Sequence, residues 1–137
     1  MPTLYHGTSR PAALALAAGA IDVTIGRGEF GRGFYTQSSL SNAHRRGYSR
    51  FGRNAAVLEL NIDDPSYHAL GFRRLSLNAA QMLDARLRSS GQTHTYMTND
   101  DVIVGPLVSQ PRVQQQKYQT PTAETMLNGN RTQRNVI

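Results

Sequence analysis

The chain has 137 residues, of which 39% are hydrophobic, so its length suits one globular domain with a modest core. Its formal net charge is +6, and it contains no cysteine, which excludes disulfides, thiolate catalysis and cysteine-based zinc sites. No apolar run reaches the ~20 residues of a membrane-spanning helix, and the short apolar segment "ALALAAGA" lacks the preceding basic residues of a signal peptide.

The first half of the chain predicts alternating strands and helices around a glycine-rich segment. Pro11 suits the first turn of a helix and Gly19 suits its end. The clearest strand is "NAAVLELNI", in which Ala56 and Leu58 begin a row of alternate apolar residues. The predicted elements are a strand (2–9), a helix (10–19), a loop (26–33), a short strand (34–37), a helix (38–52) and a strand (54–62).

The second half predicts one long helix and a buried strand. Ser76 can cap the helix, and Asp84 and Arg88 form an i,i+4 pair on it. The predicted elements are a loop (63–74), a helix (75–91), a buried central strand (100–107), a last strand (112–122) and a polar, flexible tail (128–137). Together these elements predict a mixed α+β domain over residues 1–127, followed by the tail.

The glycine loop contains the pattern G-x-G-x-x-G at Gly26, Gly28 and Gly31, which is typical of Rossmann dinucleotide sites. Such a site also needs a helix that opens at the last glycine and an acidic residue about 20 positions later. Here "FYT" follows the glycines, and no Asp or Glu lies between Glu29 and Glu59. We therefore expect the loop to serve a different purpose from a Rossmann phosphate loop.

Several short motifs stand in a recognisable order. They are His6-Gly7-Thr8, Gly31-Arg32-Gly33-Phe34-Tyr35, Ala43 eight residues after the tyrosine, Ile103-Val104-Gly105-Pro106, and Gln115 followed by Tyr118 and Thr120. Together they resemble the ADP-ribosyltransferase fold of the diphtheria-toxin and poly-ADP-ribose-polymerase type. They are most similar to small transferase domains at the tips of bacterial polymorphic toxins such as Rhs proteins. The resemblance implies a split antiparallel β core with short flanking helices.

The resemblance also implies a site for NAD as substrate, with no metal. His6 would bind a ribose hydroxyl, Gly7 would bind the nicotinamide amide through its backbone, and Tyr35 would stack on nicotinamide. Gln115 stands where most such enzymes have Glu; a glutamine can orient a ribose hydroxyl but cannot act as a general base. If a base is needed, Glu124 or the acids of the segment 99–101 are other possible sources.

Other residues near these motifs suit supporting roles. Thr8 and Gly33 adjoin the cofactor-binding motifs, and Arg10, Arg27 and Arg32 could clamp the pyrophosphate. Four arginines on the helix after Tyr35 and just beyond it predict a nucleic-acid-binding face, with Tyr48 and Phe51 among them; they are Arg45, Arg46, Arg50 and Arg53. His44, His68 and His94 show no metal-ligand spacing.

The function expected from the resemblance is that of an NAD-dependent mono-ADP-ribosyltransferase toxin domain. The basic charge favours structured RNA as acceptor, with a protein as the other possibility. A toxin of this kind implies a secreted effector that acts in the cytoplasm of a target cell, and an acidic immunity protein as partner; we expect a monomer. The alternatives are a metal-independent ribonuclease toxin and a non-catalytic RNA-binding module on a transferase fold.

Overall fold

The computed structural model describes residues 2–90 and 99–137. Within these ranges the chain has a mixed α+β fold, which confirms the predicted fold class. The elements are β1 (Thr3–Ser9), α1 (Arg10–Ala17), β2 (Phe34–Thr36), α2 (Leu40–Phe51), β3 (Ala55–Ile62), α3 (Asp64–His68), β4 (Phe72–Arg74), α4 (Leu77–Ser90), β5 (Val102–Pro106), β6 (Gln114–Tyr118), α5 (Pro121–Asn128) and β7 (Thr132–Val136).

The chain divides into two compact units. Unit 1 comprises Met1–Ile21, Thr36–Ala69 and Thr125–Ile137, and unit 2 comprises Asp22–Tyr35 and Leu70–Glu124. No helix in the described part of the chain has the length and apolar character needed to cross a bilayer.

Unit 1 is built on a three-stranded antiparallel sheet of order β1-β3-β7. Leu4 pairs with Leu60, and His6 pairs with Leu58, so the alternate apolar residues of β3 and β1 share one face. Leu58 and Leu60 are fully buried, as the period-2 pattern of the sequence predicts.

Local capping signals place the two helices of unit 1 that follow β1 and β2. The Ser9 hydroxyl accepts the Ala12 N–H at 3.3 Å, and the Ser39 hydroxyl accepts the Asn42 N–H at 3.3 Å. Gly19 has φ 97° just beyond α1, and Gly52 has φ 57° at the end of α2. Glycine tolerates this left-handed conformation, so both helices end where the sequence predicts.

Unit 2 contains a four-stranded sheet of order β2-β6-β5-β4. Every residue of β5 is buried, which confirms the predicted central strand. β5 and β6 are antiparallel, but β4 and β5 are parallel, which departs from the wholly antiparallel core we expected. The reason is that α4 lies in the connection from β4 to β5, and such a crossover joins parallel strands.

The long helix α4 matches its sequence signals closely. The Ser76 hydroxyl accepts the Ala79 N–H at 3.1 Å, and Arg88 pairs with Asp84 at 3.1 Å. Ala80 contacts a buried cluster that also contains Phe30, Tyr35 and Ile103. The helix therefore covers one face of the sheet of unit 2.

Two predictions about the loops and the last strand are wrong. The segment 63–74 was expected to be a loop, but it contains α3 and β4. Asp63 caps α3 through the Ser66 N–H, and Pro65 occupies its first turn, so a short helix forms where the polar sequence indicated a loop. β6 is not the last strand, because α5 and β7 follow it.

The expectation of a flexible tail over 128–137 is also wrong. Asn128 ends α5, and β7 pairs with β3 from Thr132 to Val136. The Arg134 guanidinium donates to the carbonyl of Ala17 at 3.3 Å and to that of Leu127 at 3.0 Å, near the ends of α1 and α5. Pairing with β3 and these charged hydrogen bonds order a segment whose polar composition predicted fraying.

Candidate functional site

The edge of β1 that points away from β3 carries the backbone of Gly7. Tyr5 exchanges two 2.8 Å backbone hydrogen bonds with Gln37, so the N–H and C=O of Tyr5 point away from β3. In an antiparallel pair these groups alternate in direction along a strand. The N–H and C=O of Gly7 therefore lie on the same edge as those of Tyr5.

The glycine at position 7 is required by the packing of α2 on β1. A Cβ at Gly7 would lie 2.0 Å from the carbonyl oxygen of Ala43 and 3.0 Å from the amide nitrogen of Gly47. The His-Gly motif and the alanine eight residues after Tyr35 thus belong to one close helix–strand contact. This contact holds α2 against β1 and explains both small residues without any ligand.

His6 and Thr8 lie on the other face of β1. Because Gly7 faces α2, alternation places their side chains on the opposite face with Leu4. Leu4 and Thr8 are buried and His6 is half-buried. Arg10 is exposed at the start of α1, one residue after the capping Ser9.

The glycine loop folds back on itself rather than opening a helix. A Cβ at Gly26 would lie 2.0 Å from the Gly33 carbonyl oxygen, and one at Gly28 would lie 2.3 Å from Cζ of Tyr35. Gly31 has φ 88°. The loop is preceded by turns and followed by β2, so the structure lacks the strand and helix of a Rossmann phosphate site, as the sequence predicts.

Tyr35 is held by this loop. Its side chain is 8% exposed and packs with Phe30 and Ile103. The Tyr35 hydroxyl accepts the Phe30 N–H at 3.0 Å and donates to the Gly31 carbonyl. The tyrosine proposed to stack on nicotinamide is therefore a core residue in this conformation, with Gly28 against its ring.

Gln115 shares a face of the unit 2 sheet with Tyr35. Gln115 pairs with Gly105, whose Cβ position lies 3.1 Å from the Phe30 ring. Phe30 and Tyr35 belong to one buried cluster, so the side of β6 that carries Gln115 is the side that the cluster occupies. Strands β2 and β6 are neighbours, so two of the three predicted catalytic residues lie on adjacent strands of unit 2.

Two of the predicted site residues carry buried donors that lack a partner among the described residues. They are Nε2 of Gln115, whose side chain is 2% exposed, and Nε of Arg32. Two further buried atoms share this property within the same described ranges: Oγ1 of Thr36 and Oε1 of Gln37. A buried polar atom without a hydrogen bond costs about 1–3 kcal/mol, so each of the four calls for a partner.

Thr36 and Gln37 were not singled out from the sequence. Both follow directly after Tyr35 and are almost completely buried, with exposures of 1% and 6%. The signal that could have identified them is a pair of polar side chains in a segment predicted to be a strand.

The carboxylates considered as alternative bases are engaged elsewhere. Glu124 accepts the Val23 N–H at 2.9 Å. Asp101 accepts the Gly71 N–H at 2.8 Å and the Thr120 hydroxyl, and Asp100 pairs with Arg73 at 2.7 Å. Each of these acids fastens a loop or a strand end, which accounts for its presence in the sequence.

The only lysine of the chain was missed by the sequence interpretation. Lys117 is 0% exposed on β6, and its Nζ donates to Oε1 of Gln119 at 2.8 Å. A Cβ at Gly33 would lie 2.6 Å from Cε of Lys117, so the end of the glycine loop packs on this side chain. Burial lowers the pKa of Lys117 to about 7.

The predicted arginine set lies around α2 and just beyond it. Arg45, Arg50 and Arg53 are exposed, whereas Arg46 is half-buried. The Arg50 guanidinium carbon lies 5.5 Å from the centroid of the Phe51 ring, within the range of a cation–π contact.

No three histidine or acidic side chains within the described ranges are grouped as a metal site would require. His94 lies outside the described residues. Comparison with protein-family models gave no match, and comparison with curated proteins gave none either.

Proposed function

We propose that the chain is an NAD-dependent mono-ADP-ribosyltransferase. The observation that carries the proposal is the buried Nε2 donor of Gln115, which has no partner in residues 2–90 and 99–137 and lies on the same sheet face as Tyr35. A ribose hydroxyl of NAD would supply the missing acceptor. The ADP-ribosyltransferase fold itself is part of the proposal, supported by the motifs on β1, β2 and β6.

The proposed roles of the other residues agree with their local geometry. The Gly7 N–H and C=O, on the outer edge of β1, match the acceptor and donor of the nicotinamide amide. His6 is half-buried and can bond a ribose hydroxyl. Arg32, whose Nε lacks a partner among the described residues, suits the pyrophosphate.

Tyr35 can stack on nicotinamide only after the glycine loop moves. Gly28 lies against the ring, and the hydroxyl is bonded to the backbone at Phe30 and Gly31. The proposal therefore includes displacement of Gly28 from the ring when NAD binds. Glycine-rich backbone has the conformational freedom that such a change needs.

The reaction breaks the bond between the nicotinamide nitrogen and the ribose carbon. Nicotinamide leaves with the bonding electrons, and the ribose acquires oxocarbenium character in the transition state. The acceptor then forms the new bond to that carbon and loses its proton to the solvent. Gln115 orients a ribose hydroxyl without taking this proton, which suits an acceptor that needs no strong base.

The biological setting proposed is that of a toxin domain delivered into a target cell, with RNA as the acceptor and an acidic immunity protein as its inhibitor. The support is the net charge of +6 and the acid-free segment between Glu29 and Glu59. A protein acceptor is the competing possibility.

The test measures nicotinamide release from NAD by the protein and by two substituted forms, His6→Ala and Gln115→Leu. Each should reduce release roughly 10- to 1000-fold, because each removes a bond made to the ribose. Gln115→Leu should leave the unfolding free energy unchanged or higher by about 1 kcal/mol, since it removes a buried unsatisfied donor. Gln114→Leu is the matched control, because Gln114 is exposed on the same strand.

The acceptor is identified separately. The protein is incubated with labelled NAD and a cell lysate, and the product is treated with nuclease or with protease. Loss of bound label on nuclease treatment supports RNA, and loss only on protease treatment replaces RNA by a protein acceptor. If no nicotinamide is released by the folded protein, the transferase proposal fails; shortening of RNA would then indicate a ribonuclease, and RNA binding alone a binding module.

A further inference from the structure

The outward side of α2 combines exposed cations with an exposed aromatic ring. Ala43 and Gly47 are the buried residues of this helix, packed against β1. At 100° per residue, Arg45 lies on the opposite side and Tyr48 on the exposed side next to it, whereas Arg50 lies in line with Ala43 at the end of the helix. Arg45 and Tyr48 are both exposed, and Tyr48 has a relative exposure of 66%.

The charge of this surface is wholly positive. α2 contains no acidic residue, and no Asp or Glu occurs between Glu29 and Glu59. Arg45, Arg50 and Arg53 are all exposed, and none takes part in an ion pair within the described part of the chain. The exposed cations of α2 and of the turn that follows it therefore suit an anionic partner.

Two aromatic side chains stand among these cations. The ring of Tyr48 is largely exposed to solvent. Phe51 is 37% exposed, and the Arg50 guanidinium lies over its ring. An exposed ring one helical turn from an arginine, as Tyr48 is from Arg45, offers a flat apolar face beside a cation that can hold a phosphate. Binding to the phosphates of a duplex needs only the cations, whereas an unpaired base can also stack on the aromatic ring.

We propose that the outward side of α2 binds an unpaired segment of RNA, with a base stacked on Tyr48 and a phosphate held by Arg45. This inference rests on the proposed function only for the choice of RNA rather than single-stranded DNA as the ligand. The RNA would then bind to unit 1 at α2, and the motifs assigned to NAD would not take part in this contact.

The experiment measures binding, in the absence of NAD, to a short RNA hairpin with an unpaired loop, to a blunt RNA duplex of the same length and to poly-glutamate. The forms compared are the unsubstituted protein, Tyr48→Ala, Tyr48→Phe, Arg45→Ala and Arg112→Ala. Arg112 is an exposed arginine of unit 2 and controls for the loss of one positive charge. All substituted positions are exposed, so folding is retained, and thermal unfolding verifies it.

The expected result is tighter binding of the hairpin than of the duplex. Tyr48→Ala should weaken hairpin binding at least about fivefold, since base–aromatic stacking contributes at that level. Tyr48→Phe should bind as the unsubstituted protein does, because it keeps the ring. Arg45→Ala should weaken binding and reduce its salt dependence more than Arg112→Ala does.

Equal affinity for hairpin and duplex, or unchanged hairpin binding by Tyr48→Ala, would overturn the inference. So would poly-glutamate binding that depends on Tyr48 while hairpin binding does not, which would assign the surface to an acidic protein. Because no NAD is present, the result is independent of nicotinamide release: a protein that binds the hairpin through Tyr48 but releases no nicotinamide retains this inference and refutes the transferase.

Discussion

At the scale of single residues, burial decides what the charged and polar groups of unit 2 can do. Lys117 is the only lysine among fifteen basic residues and is completely buried, whereas the exposed cations are arginines. Arginine stays charged under all ordinary conditions, but a buried lysine can lose its proton. Lys117 hydrogen-bonds Gln119, whose Nε2 donates to the Asp100 carbonyl at 2.8 Å. Because burial lowers the pKa of Lys117, we expect the stability of the protein to depend on pH.

We expect Lys117 to make the protein more stable as the pH rises above 7. The pKa of Lys117 is lowered from 10.5 to about 7 in the folded state, so between these values the unfolded chain binds one more proton. Its contribution to the unfolding free energy therefore rises with pH, by up to about 1.4 kcal/mol per pH unit, and is constant below pH 7. Lys117→Met should remove this slope.

The measurement is urea unfolding of both proteins at a series of pH values from 6 to 9, with the difference between them taken at each pH. Taking the difference cancels the titration of groups common to both. If the unfolding free energies of the two proteins change with pH in parallel, Lys117 does not cause the pH dependence.

At the scale of elements, close backbone contacts explain the glycine motifs. Gly7 admits α2 against β1, and Gly28 and Gly33 admit the glycine loop against Tyr35 and Lys117. A larger side chain at any of these positions would have to displace backbone or a packed ring. Gly7 and Gly33 are also predicted to contact NAD, so these two positions would serve both packing and the ligand.

Gly7→Ala should destabilise the protein by about 1–3 kcal/mol or more, because its methyl group would lie 2.0 Å from the Ala43 carbonyl oxygen. Chemical unfolding measures the change. Gly71→Ala is the matched control: the nearest atoms to its Cβ lie at 3.7 and 3.8 Å, which is ordinary contact, so a change within about 1 kcal/mol is expected. Equal effects of the two substitutions would refute the packing explanation.

At the scale of the whole molecule, each unit is completed by contacts between segments that are distant in the sequence. Unit 1 takes its third strand from the C-terminal end of the chain, where β7 pairs with β3. Unit 2 joins the glycine loop to the β5–β6 connection, because Glu29 accepts the N–H of Val108 and that of Ser109. Such long-range contacts make the fold cooperative within each unit.

Removal of residues 130–137 should therefore prevent unit 1 from folding. The truncation deletes β7 and Arg134, and it leaves the β3 backbone and the carbonyls of Ala17 and Leu127 without these partners. The check is solubility and circular dichroism of the truncated protein. Removal of Ile137 alone is the control: its side chain is exposed and only its N–H bond to the Val57 carbonyl is lost, so a much smaller effect is expected. A truncated protein with an unchanged unfolding midpoint would restore the flexible-tail interpretation.

The sequence by itself determined the elements whose signals are local. Ser9, Ser39 and Ser76 mark helix starts, Gly19 and Gly52 mark helix ends, and the apolar run of β5 marks a buried strand. The sequence also predicted that the glycine loop is not a Rossmann phosphate loop, because that conclusion depends on the residues that directly follow the glycines. The α+β class follows from these local features.

Tertiary structure alone decided the position of β7, the burial of Lys117, and the lack of a partner, within the described part of the chain, for the buried donors of Gln115 and Arg32. Each depends on contacts between segments far apart in the chain: β7 with β3, Gly33 with Lys117, Gly105 with Phe30. A polar segment such as 128–137 predicts fraying when its own residues are considered, and it becomes ordered only because β3 offers an unpaired edge. The motifs could thus be found in the sequence, whereas their surroundings came from pairing and packing at long range.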